Sequence, residues 1–481
     1  MKNRITKILC LALALVMCVG LMPACTSNED NTIYVGNTAG TTGALANIGV
    51  PFNLGINAAF AEYNQNGGFN GRNVALKHYD DKGDPTKSKS LMETLVYEDE
   101  VFAIVGNYGG YAVNVNLDIL KANNVPMVYA AAGVDALYNN NATSLGDRCI
   151  FPVQPLNKTE GKFLLVRAFA NPTKGEGADM VLTGGMGAKK VGVIANQDEA
   201  SQGILRGIKE EAEMLPESKK NNIIYQEIAG NDFMTAATEI VSKNCDTVIV
   251  TVTGDAAFIA ALTALSQANY RGNVLTSYNN ADAGILNKNG VMTAAGQEIV
   301  SKMTIYAQGW LDITSDSYVY KEETGLFRAY KMQNSTQYGN GVAGFTESYW
   351  KVAEAIYNYA NSNPSTKGSA WAMSYNSYAL AGYIAGNMFC AALEELEKSG
   401  KELTRQNLVE IMEIVELPVA MVGNISYTNG QRTGLEKLSA AVFVNSADPS
   451  FGENATKDPQ AVSIPVVGLQ SIDELRALIT E

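Results

Sequence analysis

The chain has 481 residues, with 36 Lys and Arg against 49 Asp and Glu, and a formal net charge of −13. Apolar residues make up 46% and charged residues 18%, a globular balance that rules out disorder, collagen or coiled coil as the main state. An acidic chain argues against nucleic acid as a partner, because phosphate binding is driven by clustered Lys and Arg. The single histidine, His78, argues against a histidine-based catalytic triad or a multi-histidine metal site. At about 100–200 residues per domain, the length predicts two to four domains.

Lys2, Arg4 and Lys7 open the chain, an apolar run follows from Ile8 to Met22, and Pro23-Ala24 precede Cys25. Basic start, apolar run and small residue before a cysteine read as a secretory signal. Leu21–Cys25 resembles a bacterial lipoprotein lipobox, which implies a signal peptide over 1–24 and a lipid on Cys25; an uncleaved signal anchor is the alternative. Residues 25–31 are polar and read as a tether. No later segment reads as long and apolar enough to span a bilayer. Cys10 and Cys18 leave with the signal; Cys149, Cys245 and Cys390 are odd in number and widely spaced, so they read as small buried hydrophobes.

The body alternates β-branched strands with amphipathic helices. Ile33-Tyr34-Val35 predicts a strand ended by Gly36-Asn37, and a helix follows from about Ala46 to Gln65 with Phe52, Ile56, Ala59, Phe60 and Tyr63 on one face. Asn66-Gly67-Gly68 stops it. Val74–Leu76 is the next strand, and Asp84-Pro85 opens a helix with Asp as N-cap and Pro at the first position. Phe102–Val105 and Pro126–Tyr129 predict two more strands around a helix ending near Asn123. The order restarts at Val191–Ala195, and runs through a helix to about Leu215, a strand at Ile223–Tyr225, a helix near Thr235–Val241, a strand at Thr247–Val252, a helix carrying Phe258, Leu262 and Leu265, and a closing strand at Val274–Thr276.

Two such runs predict an α/β protein of two similar, doubly wound parallel-sheet lobes. Helices expected at about 342–360 and 376–398 need a sheet to cover, and strand-like runs follow near Tyr427–Gly430 and at Ser439–Val444. The economical solution sends the helices back to the first lobe and the last strands to the second. That gives a hinge of several crossings, near Ile150–Pro155, Tyr306–Trp310 and Ile414–Val419. Lobe 1 is then 32–152 with 308–413, and lobe 2 is 153–307 with 414–481.

In open parallel sheets ligands sit at the carboxyl ends of strands. Those loops are Asn37–Gly43, Asn107–Tyr111, Ala130–Asp135, Asn196–Gln202, Thr253–Asp255 and Tyr278–Asp282. They are short, small and polar, with little that does catalysis, and two lobes facing each other across them form a cleft that closes on a small solute.

At this point the sequence resembles the leucine/isoleucine/valine-type extracellular solute-binding proteins of ABC transporters, which have the type I periplasmic binding protein fold. The resemblance rests on Ile33–Gly36, on Gly55–Asn64 running into Gly67–Arg72, on Tyr79-Asp80-Asp81, Asp84-Pro85, Leu95-Val96 and Ala103–Gly106, and on Val191–Ile194 with Gly203 and Gly207. It implies capture of a small solute, often an amino acid, outside the membrane and delivery to ABC permease subunits, by a monomer with no cofactor, no metal and no enzymatic activity. A ligand-sensing role, or a solute such as an amide, aromatic acid or sugar, is the alternative. In that family the ligand carboxylate meets hydroxyls and backbone N–H groups after strands three and four of lobe 1. Here those positions read Tyr108, Gly109, Gly110 and Ala131, Ala132, Gly133, without the usual Ser or Thr. In lobe 2 the family's acidic partner of an α-ammonium follows strand four, where this chain reads Tyr278 and Asn279 with Asp282 slightly beyond; Asp255 after strand three is the substitute, and Asn196 and Ala200 lie in the loop after strand one.

Several candidates carry a plainer role as well. Thr41 and Thr42 either contact ligand or cap the following helix. Tyr108 and Tyr111 stack on a ligand or pack locally. Asp255 is an N-cap or an ammonium partner, and Asp198 and Glu199 suit a helix entrance without any ligand. Trp310 lines the cleft or packs the hinge, Asp80-Asp81 reads as a structural turn, and His78 reads as structural. No G-x-S-x-G elbow or G-x-x-x-x-G-K-[ST] loop is present, and Gly184–Gly187 precedes a strand, on the wrong side for a dinucleotide site.

Overall fold

The computed structural model describes residues 31–139, 141–175, 181–230, 232–311, 347–374, 376–448 and 455–480. The signal, Cys25 and all of the tether but Asn31 lie outside the described residues. The first sheet is built from β1 (Thr32–Ala39), β2 (Asn73–Asp80), β3 (Ile104–Val105), β4 (Met127–Ala130) and β5 (Ile150–Pro152), with α1 (Ala46–Gln65), α2 (Pro85–Tyr97) and α3 (Gly110–Ala122) between them. All its strands are parallel, in the order β2-β1-β3-β4-β5. The caps match the local chemistry: the Asp84 carboxylate accepts from the N–H groups of Thr86 and Lys87 with Pro85 at the first position.

The chain then repeats the design. After α4 (Asn157–Phe169) come β6 (Val191–Ala195), α5 (Glu199–Ala212), β7 (Ile223–Glu227), α6 (Phe233–Ser242), β8 (Thr247–Val250), α7 (Asp255–Gln267), β9 (Asn273–Thr276), α8 (Ala294–Lys302) and β10 (Thr304–Gly309). The parallel order β7-β6-β8-β9-β10 reproduces that of the first sheet. Val274–Thr276 therefore does not close the set, because β10 follows it in parallel. Nor is Ile150–Pro152 only a crossing; it is the fifth strand of lobe 1.

Helices α9 (Glu347–Ser362), α10 (Ser377–Lys398) and α11 (Arg405–Ile414) return to lobe 1, whose largest core cluster joins Phe52, Ile56 and Phe60 of α1 to Ile356, Ile384, Met388 and Phe389. Gly43–Gln65 is long and apolar enough to cross a membrane by length and composition, unlike what the sequence reading expected, but its apolar face is spent on this packing. The axes of α1 and α10 come into backbone contact: a Cβ on Gly382 would stand 1.9 Å from the Phe52 carbonyl oxygen, and one on Gly55 2.0 Å from that of Ala379. Lobe 2 repeats the device between α4 and α5, where a Cβ on Gly161 would meet the Ile204 carbonyl oxygen at 2.0 Å and one on Gly207 that of Lys158 at 1.9 Å. Met92, Leu95, Val113 and Leu117 of α2 and α3 cover the other face of the first sheet. Phe233, Phe258 and Leu262 cover one face of the second, and Leu164, Ile204 and Ile208 the other. The last strands, β11 (Lys437–Asn445) and β12 (Ala461–Ser471), add antiparallel to β10.

Three crossings join the lobes, at 153–155, 309–311 and 433–436. The third stands later than the Ile414–Val419 expected from sequence. Leu417, Val419, Met421, Ile425 and Tyr427 belong to the lobe 1 core, and Leu417–Val419 pairs antiparallel with Gly423–Ile425. Strand-like alternation is local and does not say which sheet receives the strand. At the actual crossing the Leu435 N–H donates to the Val153 carbonyl at 2.8 Å, and Gly434, at φ +71°, passes so close to Gln154 that a Cβ would lie 2.5 Å from its carbonyl oxygen. The first and third crossings are thus hydrogen-bonded side by side.

Candidate functional site

The loops at the carboxyl ends of the two sheets face each other, joined by the Asn114–Glu199 and Asn157–Gly133 hydrogen bonds, and the polar chemistry of those ends begins under the loops. At the end of β1, buried Asn37 donates to Asn53 of α1 at 2.8 Å and is hydrogen-bonded to the His78 ring at 3.0 Å. The other ring nitrogen of His78 meets the Thr41 hydroxyl at 3.0 Å. Burial, opposed by the Asp80 and Asp81 charges, holds the His78 pKa below its usual value. Thr38 donates to Asn107 through its N–H and its hydroxyl, both at 3.1 Å. Asp80 accepts from the Thr41 N–H at 2.9 Å, from the Thr42 hydroxyl and from the Lys82 N–H at 3.1 Å. Burial alone would raise the Asp80 carboxyl, but these bonds outweigh it and bring its pKa down to about 2. The hydroxyls of Thr41 and Thr42 are therefore bonded to His78 and Asp80, and Asp80-Asp81 holds two loops: Tyr111 donates to Asp81 at 2.9 Å.

Above this network runs a continuous line of aromatic rings. Tyr378, at the start of α10, meets Tyr108 edge-on at 6.2 Å between centroids; Tyr108 meets Phe52 at 5.4 Å; Phe52 meets Tyr129 at 6.3 Å; Tyr129 meets Trp310 at 6.2 Å. The line runs from the loop after β3 to the second crossing, so Trp310 packs the hinge end and is 8% exposed. Tyr129 holds a positive φ of 59° at the end of β4, a backbone strain that turns its ring into this line. Burial raises the pKa of Tyr278 of lobe 2 far above normal, followed by the influence of Glu160, Tyr129 and Tyr108, which places its ring beside this line. Its hydroxyl donates to the Pro155 carbonyl at 3.1 Å and accepts from Gln154 at 3.2 Å, and Tyr129 donates to the same Gln154 at 3.4 Å. A hydrogen-bonded chain thus crosses the hinge from β4 to the end of β9.

Beneath Tyr278 lies Glu160, fully buried in α4, which accepts from the Tyr278 N–H at 2.7 Å and the Ser277 hydroxyl at 2.8 Å. Burial outweighs both bonds and raises its pKa to about 7. Asp255 is not the N-cap of α7; that place belongs to Gly254 at φ +88°. Its exposed carboxylate forms no ion pair or hydrogen bond among the described residues, and with Asp282 it acts on Tyr378 of the other lobe after burial has raised that phenol.

The lobes also touch along one rim. Asp198 caps α5 by accepting from the Ser201 N–H at 2.7 Å, which leaves Glu199 to reach lobe 1, where Asn114 donates to it at 2.9 and 3.2 Å. A Cβ on Gly110 would stand 3.5 Å from that carboxylate, so Glu199 faces the first turn of α3. Arg206 donates to Asp135 at 2.8 and 2.7 Å, and the Gly133 carbonyl accepts from the Asn157 N–H at 2.8 Å.

The sequence candidates divide accordingly. Tyr108, Gly109, Gly110, Asp255 and Tyr278 lie on the strand-end loops and helix starts where the two lobes face each other. Ala131 and Ala132 are buried, each 5% exposed. Asn196 and Asn279 are engaged locally, Asn196 with Ser201 and Gln202, and Asn279 with Ser277. Ala200 lies on the first turn of α5. Phe52, Tyr129, Tyr378, Gln154 and Glu160 were missed. Only Tyr378 carried a signal, the Asn376 N-cap, whose side chain accepts from the Tyr378 and Ala379 N–H groups at 2.9 and 3.1 Å and so marks a helix start. Cys149, Cys245 and Cys390 are free and buried.

Against known families, the model described as "Periplasmic binding protein" matches residues 32–317. The chain belongs to the periplasmic binding protein family. Among curated relatives of this periplasmic binding protein, Leu/Ile/Val-binding protein homolog 2 of Brucella abortus (strain 2308) is 31% identical over 112 residues. That stretch is 23% of this chain and 30% of the relative, so the chain spans under a third of the curated relative's length. Two solved structures share the fold. The extracellular ligand-binding receptor of Verminephrobacter eiseniae has a TM-score of 0.59 and 17% identity, covering 85% of this chain and 97% of its own. A solute-binding protein of an ABC transporter from Rhodopseudomonas palustris BisB5, in complex with 3,4-dihydroxybenzoic acid, has a TM-score of 0.58 and 15% identity, covering 92% and 98%.

Proposed function

We propose that this protein captures a small polar solute between its lobes on the outer side of the membrane, held there by a lipid on Cys25, and presents the closed form to ABC permease subunits. One observation supports the reading: two sheets of the same strand order meet at their strand-end loops, and we read the gap there as walled by Tyr108 and Tyr378 from lobe 1 and by Asp255 and Tyr278 from lobe 2. Gly109 and Gly110 bring the start of α3 to this gap, Ala131, Ala132 and Gly133 back its lobe 1 side, and Asn196, Ala200 and Asn279 line the lobe 2 loops. Thr41 and Thr42 shape the flank. Binding stabilises the closed lobes by hinge motion about the three crossings, and no bond in the solute changes.

The relative named for Leu, Ile and Val and the neighbour holding a dihydroxybenzoate set the first classes to try. The missing Ser and Thr after β3 and β4 favour a solute outside the amino acids. The test is a thermal-shift screen of amino acids, amides, aromatic acids, amines and sugars. A solute at 100 times its Kd adds about 2.7 kcal/mol to stability, so its class raises Tm by several degrees. A screen in which no class raises Tm, with scattering curves unchanged by every solute, overturns the reading.

A further inference from the structure

Two donors of one exposed residue are tied to a buried carboxyl through a single oxygen. In the loop after β9 the Ser277 hydroxyl donates to Glu160 at 2.8 Å. The same oxygen accepts from the Asn279 N–H at 3.1 Å and from the Asn279 Nδ2 at 3.0 Å. A hydroxyl has one hydrogen and two lone pairs, so Ser277 is fully used. Glu160, fully buried, has two partners among the described residues, this hydroxyl and the Tyr278 N–H at 2.7 Å. Asn279 is exposed, and its carboxamide oxygen bonds nothing among the described residues.

This inventory is complete only while Glu160 is ionised. A proton on its Tyr278 side would face an N–H, and one on its Ser277 side would face a hydroxyl whose lone pairs are both taken. Among the described residues it has no other acceptor. The proton therefore takes the Ser277 oxygen, the Asn279 Nδ2 gives up its place, and the Ser277 hydrogen needs a new acceptor. Turning the Asn279 carboxamide over supplies one, because Oδ1 then stands where Nδ2 stood. The Tyr278 bond survives, since the carbonyl oxygen of a neutral carboxyl still accepts. Every group is satisfied again, but the Asn279 NH2 now points outward where its oxygen did. The Glu160 pKa of about 7 populates both forms near neutrality.

The other ionisable groups about Glu160 are the Tyr278 phenol and, beside that ring, those of Tyr129 and Tyr108 from lobe 1. Tyr306 lies on β10; burial raises all four phenols, away from neutral pH. On α5, Glu210 pairs with Lys158 and Lys162, Glu211 with Arg476, and Arg206 with Asp135. Arg167 is two turns further along α4, and β8 and β9 carry no ionisable residue.

Resting on the solute-capture reading above, we propose that Glu160 is a positioning residue whose protonation sets the polarity that Asn279 shows to the gap: a carbonyl acceptor while Glu160 is ionised, an N–H donor once it is neutral. Acceptors on a solute, carboxylates included, are held more tightly in acid, and donors in alkali.

The test follows the Asn279 side chain by nuclear magnetic resonance. In the full chain carrying isotope-labelled asparagine, the side-chain amide pair that disappears in Asn279→Ser is its signal. Between pH 5.5 and 8.5 that pair moves along a one-proton curve with a midpoint near 7. In Glu160→Gln, whose NH2 donates to Ser277 as the neutral carboxyl does, it keeps its acid position throughout. Ser277→Ala, which removes the shared oxygen, also stops the movement and decides the matter if the Gln variant does not fold. His78→Gln, which removes the chain's one imidazole, leaves the curve in place. Calorimetric titration uses benzoate and leucine, neither of which changes charge over this range. Each binds about threefold or more tightly at pH 5.5 than at 8.5, and equally at both in Glu160→Gln. A signal that does not move, one that moves unchanged in the Glu160 or Ser277 variant, or a bound probe held equally at both pH values overturns the proposal. If the signal titrates and neither probe binds, the switch stands and the thermal-shift screen judges solute capture. If a solute closes the lobes while the signal stays flat, capture stands and the switch falls.

Discussion

Glu160 carries a carboxyl where water does not reach, between the Ser277 hydroxyl and the Tyr278 N–H. Its pKa of about 7 in the fold lies above the ordinary 4.5, so the folded chain binds this proton more tightly than the unfolded chain does. The stabilisation is complete below pH 4.5 and is lost as pH rises through 7. A shift of that size corresponds to roughly 2–4 kcal/mol between the two ends. His78 acts in the opposite sense: its lowered pKa favours the neutral ring, and stability is lost as pH falls below about 6.5. Glu160→Gln removes the first effect, so the decline of Tm between pH 4.5 and 7 flattens while the fall attributable to His78 remains. A series of Tm against pH for both proteins checks it. Nothing about Glu160 in the sequence foretold this. It sits on an amphipathic helix beside Lys158 and Lys162, and its burial is decided by β9, over a hundred residues later.

The helices repeat one rule in both lobes, a glycine pair where two axes meet in backbone contact. Gly382→Ala places a methyl against the Phe52 carbonyl, which is main chain and cannot swing away. Overpacking of that kind costs about 1–3 kcal/mol, so chemical denaturation of the variant shows a lower midpoint at unchanged slope, whereas Gly368→Ala, where a Cβ meets nothing within 4 Å, leaves the unfolding free energy within about 0.5 kcal/mol of the parent's. The bounds of these helices were readable. Ala46–Gln65 was given by its apolar period and its Gly-Gly stop, and the start of Pro85–Tyr97 by its cap. Which glycines touch was not, because a close approach belongs to two segments and the sequence displays one at a time. The same limit displaced the third crossing: the alternation at Leu417–Val419 is genuine strand pattern, but its partner Gly423–Ile425 keeps it in lobe 1.

At the scale of the molecule, strand and helix alternation was enough to foresee two like lobes and the loops between them. It was not enough for the aromatic line, since Phe52, Tyr129 and Tyr378 come from three segments far apart in the chain. The rim contact between Arg206 and Asp135, half-exposed on both sides, contributes in the range of 0.2–1 kcal/mol, about, and it exists only when the lobes are together. Arg206→Ala therefore raises the radius of gyration of the unliganded protein and weakens solute affinity by about fivefold or less, through faster release; solution scattering and dissociation kinetics check both. The return of α10 to α1 has one more outcome, at the ribosome. The inward side of Ala46–Gln65 waits for Ser377–Lys398, more than 300 residues behind it. At 5–20 residues per second that is on the order of 15–60 s of synthesis. During that interval Phe52, Ile56 and Phe60 lack Ile384, Met388 and Phe389 of their cluster, so a nascent product cut short before Ser377 is left with a sticky, partly uncovered helix and depends on chaperones or export to keep it from clumping.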